Sequence, residues 1–321
     1  MSETSRWAVI TPSYSLDFER CQLLCRSMDT FLHGPWHHYI VVDPVDMKQF
    51  SPLAGPQRSI VNKADILPGG MRYLGKVPFM RLGRLWWSPR HGPIFGWQMQ
   101  QFVKILMASY VEEDAMAVLD SDIFFLRPFN INTLLHGHKV RFGTIEGHVN
   151  PKDKMINASI DLLGVDRAHI RLVVLSDPIA TWHRPTVIAM QNHLTVLHGK
   201  PWHEAIGSRL MFSENQLYAF FANYVLKDMT NLYADETVYC KVLWNKRDVV
   251  GTDLAEYCAD LSPPQVAVCI QSLIGLNMDL VRSQFERALA AYPIRVHSIE
   301  AIGSPPRPRA ASSPKPRGKA P

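Results

Sequence analysis

Two short apolar runs flank a helical one at the start of this chain, and each apolar run stops on polar residues. "WAVITPSY" (7–14) reads as a buried strand entering a turn at Thr11, Pro12 and Ser13. "SLDFERCQLLCRSMDTFL" then shows apolar positions at helical spacing, with Asp17 early as an N-terminal signal. "HHYIVVDP" is a second strand, ending on Asp43. Strand, helix, strand in this order implies a βαβ unit and a parallel sheet. Ligands of such sheets bind beyond the carboxyl ends of the strands, which is where Thr11, Ser13 and Asp43 fall.

Further along stands "AMAVLDSDIFFLRPF", with Asp120 and Asp122 one residue apart between apolar flanks. Burying carboxylates is costly, so the residues raise three options: a metal site, a covalent phosphate site, or a solvated strand end. Mg²⁺ and Mn²⁺ are hard cations that take oxygen ligands and keep coordination for water and phosphate. Two carboxylates at i and i+2 on a sheet rim suit such an ion, which would neutralise a diphosphate. The covalent option is a haloacid-dehalogenase-like phosphohydrolase with Asp120 as nucleophile. That motif normally follows the opening strand and carries Thr or Val where this chain has Phe124, so the sequence disfavours it.

The helix "GWQMQQFVKILMASYVEED" precedes this strand and sets Gln101 and Lys104 on one face. "KVRFGTIEG" reads as another strand. From about residue 152 helical patterns dominate, in "PTVIAMQNHLTVLHG", "WHEAIGSRL", "SENQLYAFFANYVL" and "DLVRSQFERALAAY", with a strand-like "VAVCIQSL" among them. In "SENQLY" the spacing Ser213-x-x-Gln216 is a capping box, and Glu214 in the first turn suits the helix dipole. Residues 51 to 95, rich in Gly and Pro, read as an irregular insertion near the site. They carry Trp86 and Trp87 beside Arg81, Arg84 and Arg90. Five cysteines show no metal-ligand spacing and read as buried thiols.

With 321 residues the chain can bury a large core. Its formal charge of +5 does not point to nucleic acid. Five of the basic residues (Arg307, Arg309, Lys315, Arg317 and Lys319) lie in a Pro-rich tail without acidic residues, and the other 29 equal the 29 acidic ones. The expected organisation is one domain over 1–302, in halves of about 7–150 and 151–302, with a disordered tail at 303–321. No signal-peptide pattern opens the sequence, so a cytoplasmic location is expected. Weak association with the inner face of a membrane, through the Trp86–Trp87 region or the tail, is a further option.

The ordered set "ITPSY", "GWQMQQFVK", "VLDSDIFFLRP" and "FSENQLYAFFANYV" resembles the GT-A-fold nucleotide-sugar glycosyltransferases. Within that class it is similar to a bacterial glycosyltransferase-like family catalogued as a domain of unknown function (DUF6492-like). The resemblance implies an α/β fold, a Rossmann-like mixed sheet flanked by helices with a helix-rich second half. It implies a nucleotide-sugar donor, a saccharide or lipid-linked acceptor, surface polysaccharide synthesis, and Mn²⁺ or Mg²⁺ held by Asp120 and Asp122. Thr11, Ser13, Tyr14, Asp43, Lys104, Asp120 and Ser121 would contact the nucleotide sugar. Glu214 would take the proton of the acceptor hydroxyl. His183, His203 and His297 are conceivable third metal ligands. A protein of the same fold that binds nucleotide sugars without turnover is the remaining alternative.

Overall fold

The computed structural model describes residues 7–76, 84–90, 92–147, 150, 152–174, 177–207, 209, 211–245 and 254–291. The opening unit is β1 (Trp7–Pro12), α1 (Phe18–Phe31) and β2 (Trp36–Val42), followed by β3 (Arg58–Asn62). An antiparallel group, β4 (Arg72–Lys76), β5 (Arg84–Ser88) and β6 (Gly92–Phe95), leads into α2 (Gly96–Leu106). Then come β7 (Ala115–Val118), β8 (Ile123–Phe125), β9 (Lys139–Glu146), α3 (Lys154–Leu163), β10 (Leu172–Val174) and β11 (Ala180–His183). The remainder is α4 (Arg184–His198), α5 (Trp202–Gly207), α6 (Glu214–Phe220), β12 (Leu232–Asp235), β13 (Cys240–Leu243), β14 (Ala267–Ile270) and α7 (Met278–Ala291).

The main sheet has five strands in the order β11-β7-β1-β2-β3. Four of them run parallel and β11 pairs antiparallel to β7. β1 lies at the centre with every residue buried, and its unbroken apolar run reflects coverage on both faces. α1 shares an apolar cluster with β2 of this sheet through Cys21 and Cys25 against Ile40 and Val42, and its Leu24, Met28 and Phe31 enter the main core. This is the mixed α/β sheet flanked by helices that the motifs imply. The apolar core is continuous from Trp7 to Phe285 and draws on both halves of the chain.

Three regions depart from the sequence reading. Residues 51–95 are not an irregular loop, because β3 joins the main sheet and β4–β6 form a three-stranded antiparallel sheet. Cross-strand packing of Tyr73 on Trp86, with centroids 5.2 Å apart, supplies order that the Gly and Pro content concealed. Arg81 lies outside the described residues. The second missed feature is β11, whose four residues "ATWH" carry no alternation to betray a strand. The third concerns Asp17, which makes no capping bond and turns its carboxylate to Arg20, 3.9 Å away.

A buried ionic knot holds the second half together. Arg141 of β9 is 1% exposed and binds Asp177 and Asp235, each at 3.0 Å. It also donates to the carbonyls of Ile179, at 3.1 Å, and Thr237. Arginine's planar fork suits so many acceptors at once. Replacing Arg141 by Met would strand Asp177, which is 8% exposed, inside the protein. Arg141→Met should therefore lower unfolding free energy by about 3–5 kcal/mol in urea titrations.

Candidate functional site

The parallel strands β1, β2 and β7 all end on one side of the sheet, and the polar residues after them gather there. After β7 the chain leaves the main sheet through the turn Asp120–Ser121–Asp122 and enters β8, which pairs with β14. The turn thus bridges two sheets, and its two carboxylates go different ways. Asp120 lies at the rim, its side chain 52% exposed. Asp122 is pulled back, accepting from the Ser272 N–H at 3.2 Å and the Cys269 thiol at 3.4 Å. Burial, reinforced by repulsion from Asp120, pushes the Asp122 carboxyl up to about 6 from the ordinary 3.8. Ser121 is buried between them.

Lys104, near the end of α2, is 4% exposed and its ammonium reaches Asp120 and Glu214 at 2.9 Å each. Burial would strip its proton, but Asp120 and Glu214 together outweigh that and hold its pKa above the ordinary lysine value. Glu214 stands at the head of α6 and is 3% exposed. Ser213 caps that helix by accepting from the Gln216 N–H at 3.3 Å, so the cap and the ion pair coexist. The reciprocal half of the box is not formed, the buried Gln216 Oε1 meeting no donor among the described residues. Gln101, one turn before Lys104, lies against the backbone N–H of Glu214 at 3.4 Å. The shared face of Gln101 and Lys104 turns inward to α6 instead of to solvent.

A second group sits after β1 and β2. Asp43 is 1% exposed and accepts from Lys63 and Arg84, both at 2.5 Å. Arg84 also binds Asp46 and the Ser15 hydroxyl, and its guanidinium lies 5.5 Å from the centre of the Tyr14 ring. Burial lowers the Lys63 pKa, with Asp43 opposing it. Burial raises the Tyr14 phenol, assisted by Asp17 and opposed by Arg84. Thr11 and Ser13 face the interior. The Thr11 hydroxyl lies 2.9 Å from His38 Nε2, and Ser13, 2% exposed, donates its N–H to Val41 O at 3.0 Å.

The site residues read from the sequence thus fall into two groups. Asp120, Ser121, Asp122, Lys104 and Glu214 lie together; Tyr14 and Asp43 lie with Asp46, Lys63 and Arg84. Lys63, Asp46 and Arg20 went unread, while Arg84 was read only as part of an aromatic-basic insertion and Asp17 only as a helix start. Burial raises the Asp17 pKa; Arg20 opposes that and Asp120 adds to it. Arg84 had a visible signal in its aromatic-basic surroundings, but its partners lie 38 and 41 residues away. Of the histidines, His183 contacts Thr186 at 3.0 Å and His203 follows Trp202 on α5. His297 lies outside the described residues. Among the described residues no group of three or more His, Cys, Asp or Glu side chains could hold a metal. Nor is any helix among them long and apolar enough to cross a membrane.

The charged groups collect at the carboxyl edge of the four parallel strands, the side of an open α/β sheet at which ligands generally bind. The chain is a member of the family of unknown function DUF6492, whose match covers residues 9–291. Curated protein sequences offer no match. Among solved structures it is similar to the galactosyltransferase LgtC in complex with donor and acceptor sugar analogues. The TM-score is 0.42 at 7% identity, over 89% of this chain and 96% of that one.

The geometry makes three predictions. Lys104→Met removes the cation from the buried Glu214 and leaves only the Gln101 amide against its carboxylate, so it should cost about 3–5 kcal/mol in urea unfolding. Asp120→Asn removes only a half-exposed partner and should cost less than about 1 kcal/mol. For Asp122, the folded carboxyl keeps a proton that the unfolded one releases between about pH 4 and pH 6. The native state is therefore favoured at the acidic end and loses stability as pH rises through that window. In metal-free buffer, Asp122→Asn should gain on the wild type across that interval, measured by urea unfolding at several pH values.

Proposed function

We propose that this protein is a nucleotide-sugar-dependent glycosyltransferase of GT-A-like architecture. Its donor would be a nucleoside-diphosphate sugar, and its acceptor a saccharide or lipid-linked molecule used in surface polysaccharide synthesis. The observation that carries this reading is the Asp120–Lys104–Glu214 chain at the carboxyl edge of the parallel sheet.

Mn²⁺ or Mg²⁺ suits the aspartate pair. Both donors are hard oxygens, and the Asp122 carboxyl is raised first by burial and then by repulsion from Asp120, both of which a bound cation would offset. With no third protein ligand gathered among the described residues, such an ion would be held by Asp120 and Asp122 together with waters and phosphate oxygens. When bound, it supplies charge neutralisation for the diphosphate leaving group.

The chain's own residues have distinct proposed tasks. Lys104 fixes the Asp120 carboxylate and adds positive charge at the rim where leaving-group charge develops. Tyr14, backed by Arg84, offers a flat face to the base, while Asp43 orients that arginine from beneath. Thr11, Ser13 and Ser121 support the turns that carry these groups. Glu214 is the proposed acceptor of the hydroxyl proton. Because it is 3% exposed, that role requires side chains at the head of α6 to move as the acceptor enters.

A screen of nucleoside diphosphates and their sugars by thermal shift, with and without Mn²⁺, tests the reading. Metal-dependent binding is expected, and Asp120→Ala and Asp122→Ala should each weaken it by about tenfold or more. Glu214→Gln should keep donor affinity yet lose about 10²–10⁴-fold in transfer rate. Unchanged binding in both aspartate variants would remove the site. Release of inorganic phosphate from simple phosphoesters would favour the phosphohydrolase, and binding without turnover a non-catalytic protein.

A further inference from the structure

The three-stranded sheet β4–β6 has a face that neither the core nor the candidate site uses. Its register sets Arg72, Trp87 and Pro93 in one row across the strands, and Tyr73, Trp86 and Ile94 in the next. Successive rows point to opposite faces. The Tyr73 row is the inner one, with Trp86 and Ile94 each 1% exposed. The Arg72 row is the outer one: Trp87 is 40% exposed, and Arg72 and Pro93 are exposed with it. Leu85 and Phe95 pair in the next outward row and are partly exposed. Leu74, in the bulge between Tyr73 and Gly75, is 57% exposed, and Trp97 in the following helical turn is 44% exposed. A solvent-facing antiparallel sheet ordinarily shows polar side chains on its open face. This one shows tryptophan, leucine and proline.

Charge selects the occupant. Between Asp65 and Glu112 the chain contains no acidic residue, while Arg72, Lys76, Arg81, Arg84, Arg90 and Lys104 fall within the interval. Lys104 and Arg84 are taken up by ion pairs, and Arg90, its side chain 64% exposed, pairs with Glu204. Arg72 shares the outer row with Trp87. Tryptophan settles at the head-group level with its ring among acyl chains and its N–H in water. Arginine pairs with lipid phosphate, and the strands β4–β6 carry no carboxylate of their own to repel anionic lipid, while Glu204 beside them is paired with Arg90.

From this, we infer that the outer face of β4–β6 docks on an anionic bilayer, with Trp87 and Leu74 inserting and Arg72 binding phosphate. Arg84 ties the same sheet to Asp43 and Asp46, so the docked face is connected by ion pairs to the carboxyl edge. The inference stands on the exposed row and the charge pattern, independently of the donor reading.

Cosedimentation of the full chain with phosphatidylcholine vesicles, with and without phosphatidylglycerol, tests it. The wild type should partition onto the anionic vesicles, less so at high salt, and little onto the neutral ones. A Leu74→Ser/Trp87→Ser double variant should keep its thermal midpoint, since both residues are exposed, and partition about tenfold less. A variant with Arg307, Arg309, Lys315, Arg317 and Lys319 changed to Gln should retain most of the binding. Absence of wild-type binding would overturn the proposal, as would undiminished binding by the double variant or complete loss in the tail variant. So would a wild-type dimer that the double variant converts to monomer without any vesicle binding.

Discussion

A single buried ammonium joins the pieces of this protein that matter most. Lys104 rises from α2, reaches the turn after β7 through Asp120, and meets the head of α6 through Glu214. Taking an ammonium and a carboxylate out of water costs several kcal/mol per ion, so neither is tolerable there without the other. The second half of the chain is thereby bound to the rim of the sheet built by the first. Because Asp120 stays half exposed, the chain of charges begins in the interior and ends at solvent. That arrangement lets a residue of α6 influence the electrostatics of the rim.

The same logic repeats one strand over. Asp43 and Asp46 are buried acids made tolerable by Lys63 from the end of β3 and Arg84 from β5. In both clusters carboxylates at strand ends are met by cations from other elements: Lys104 from the helix before Asp120, and Lys63 and Arg84 from segments after Asp43. The carboxyl edge of the sheet is therefore charged yet locally compensated, with Asp120 and the Tyr14–Arg84 stack its more open features. The open features of the edge are thus the Asp120 carboxylate and, one strand over, the Tyr14 ring lying against an arginine whose charge Asp43 and Asp46 already meet.

Much of this was legible in the residues. The alternation of apolar runs and polar stops in "WAVITPSY" and "HHYIVVDP" marked β1, β2 and their carboxyl edge, because buried parallel strands need apolar side chains on both faces. "VLDSDIFF" marked a turn between core strands for the same reason. Local spacing could also place Gln101 and Lys104 on one face of α2, but it could not say that the face is inward. Burial of a lysine depends on Glu214, 110 residues away, and no local pattern records such a partner. Thr11 read as a polar strand end and proved to be a buried partner of His38. The β4–β6 sheet was hidden because its order comes from cross-strand aromatic contacts, whereas its Gly and Pro content suggested a loop.

The central claim is that the carboxyl edge beside Asp120 and Asp122 receives a diphosphate. A crystal structure grown with Mn²⁺ and a nucleoside diphosphate tests it most directly. The account predicts density for the ion at the aspartate pair, the diphosphate beside it, and the base near Tyr14. An ion and nucleotide bound away from this edge, or a nucleotide whose phosphates leave both aspartates untouched, would contradict it.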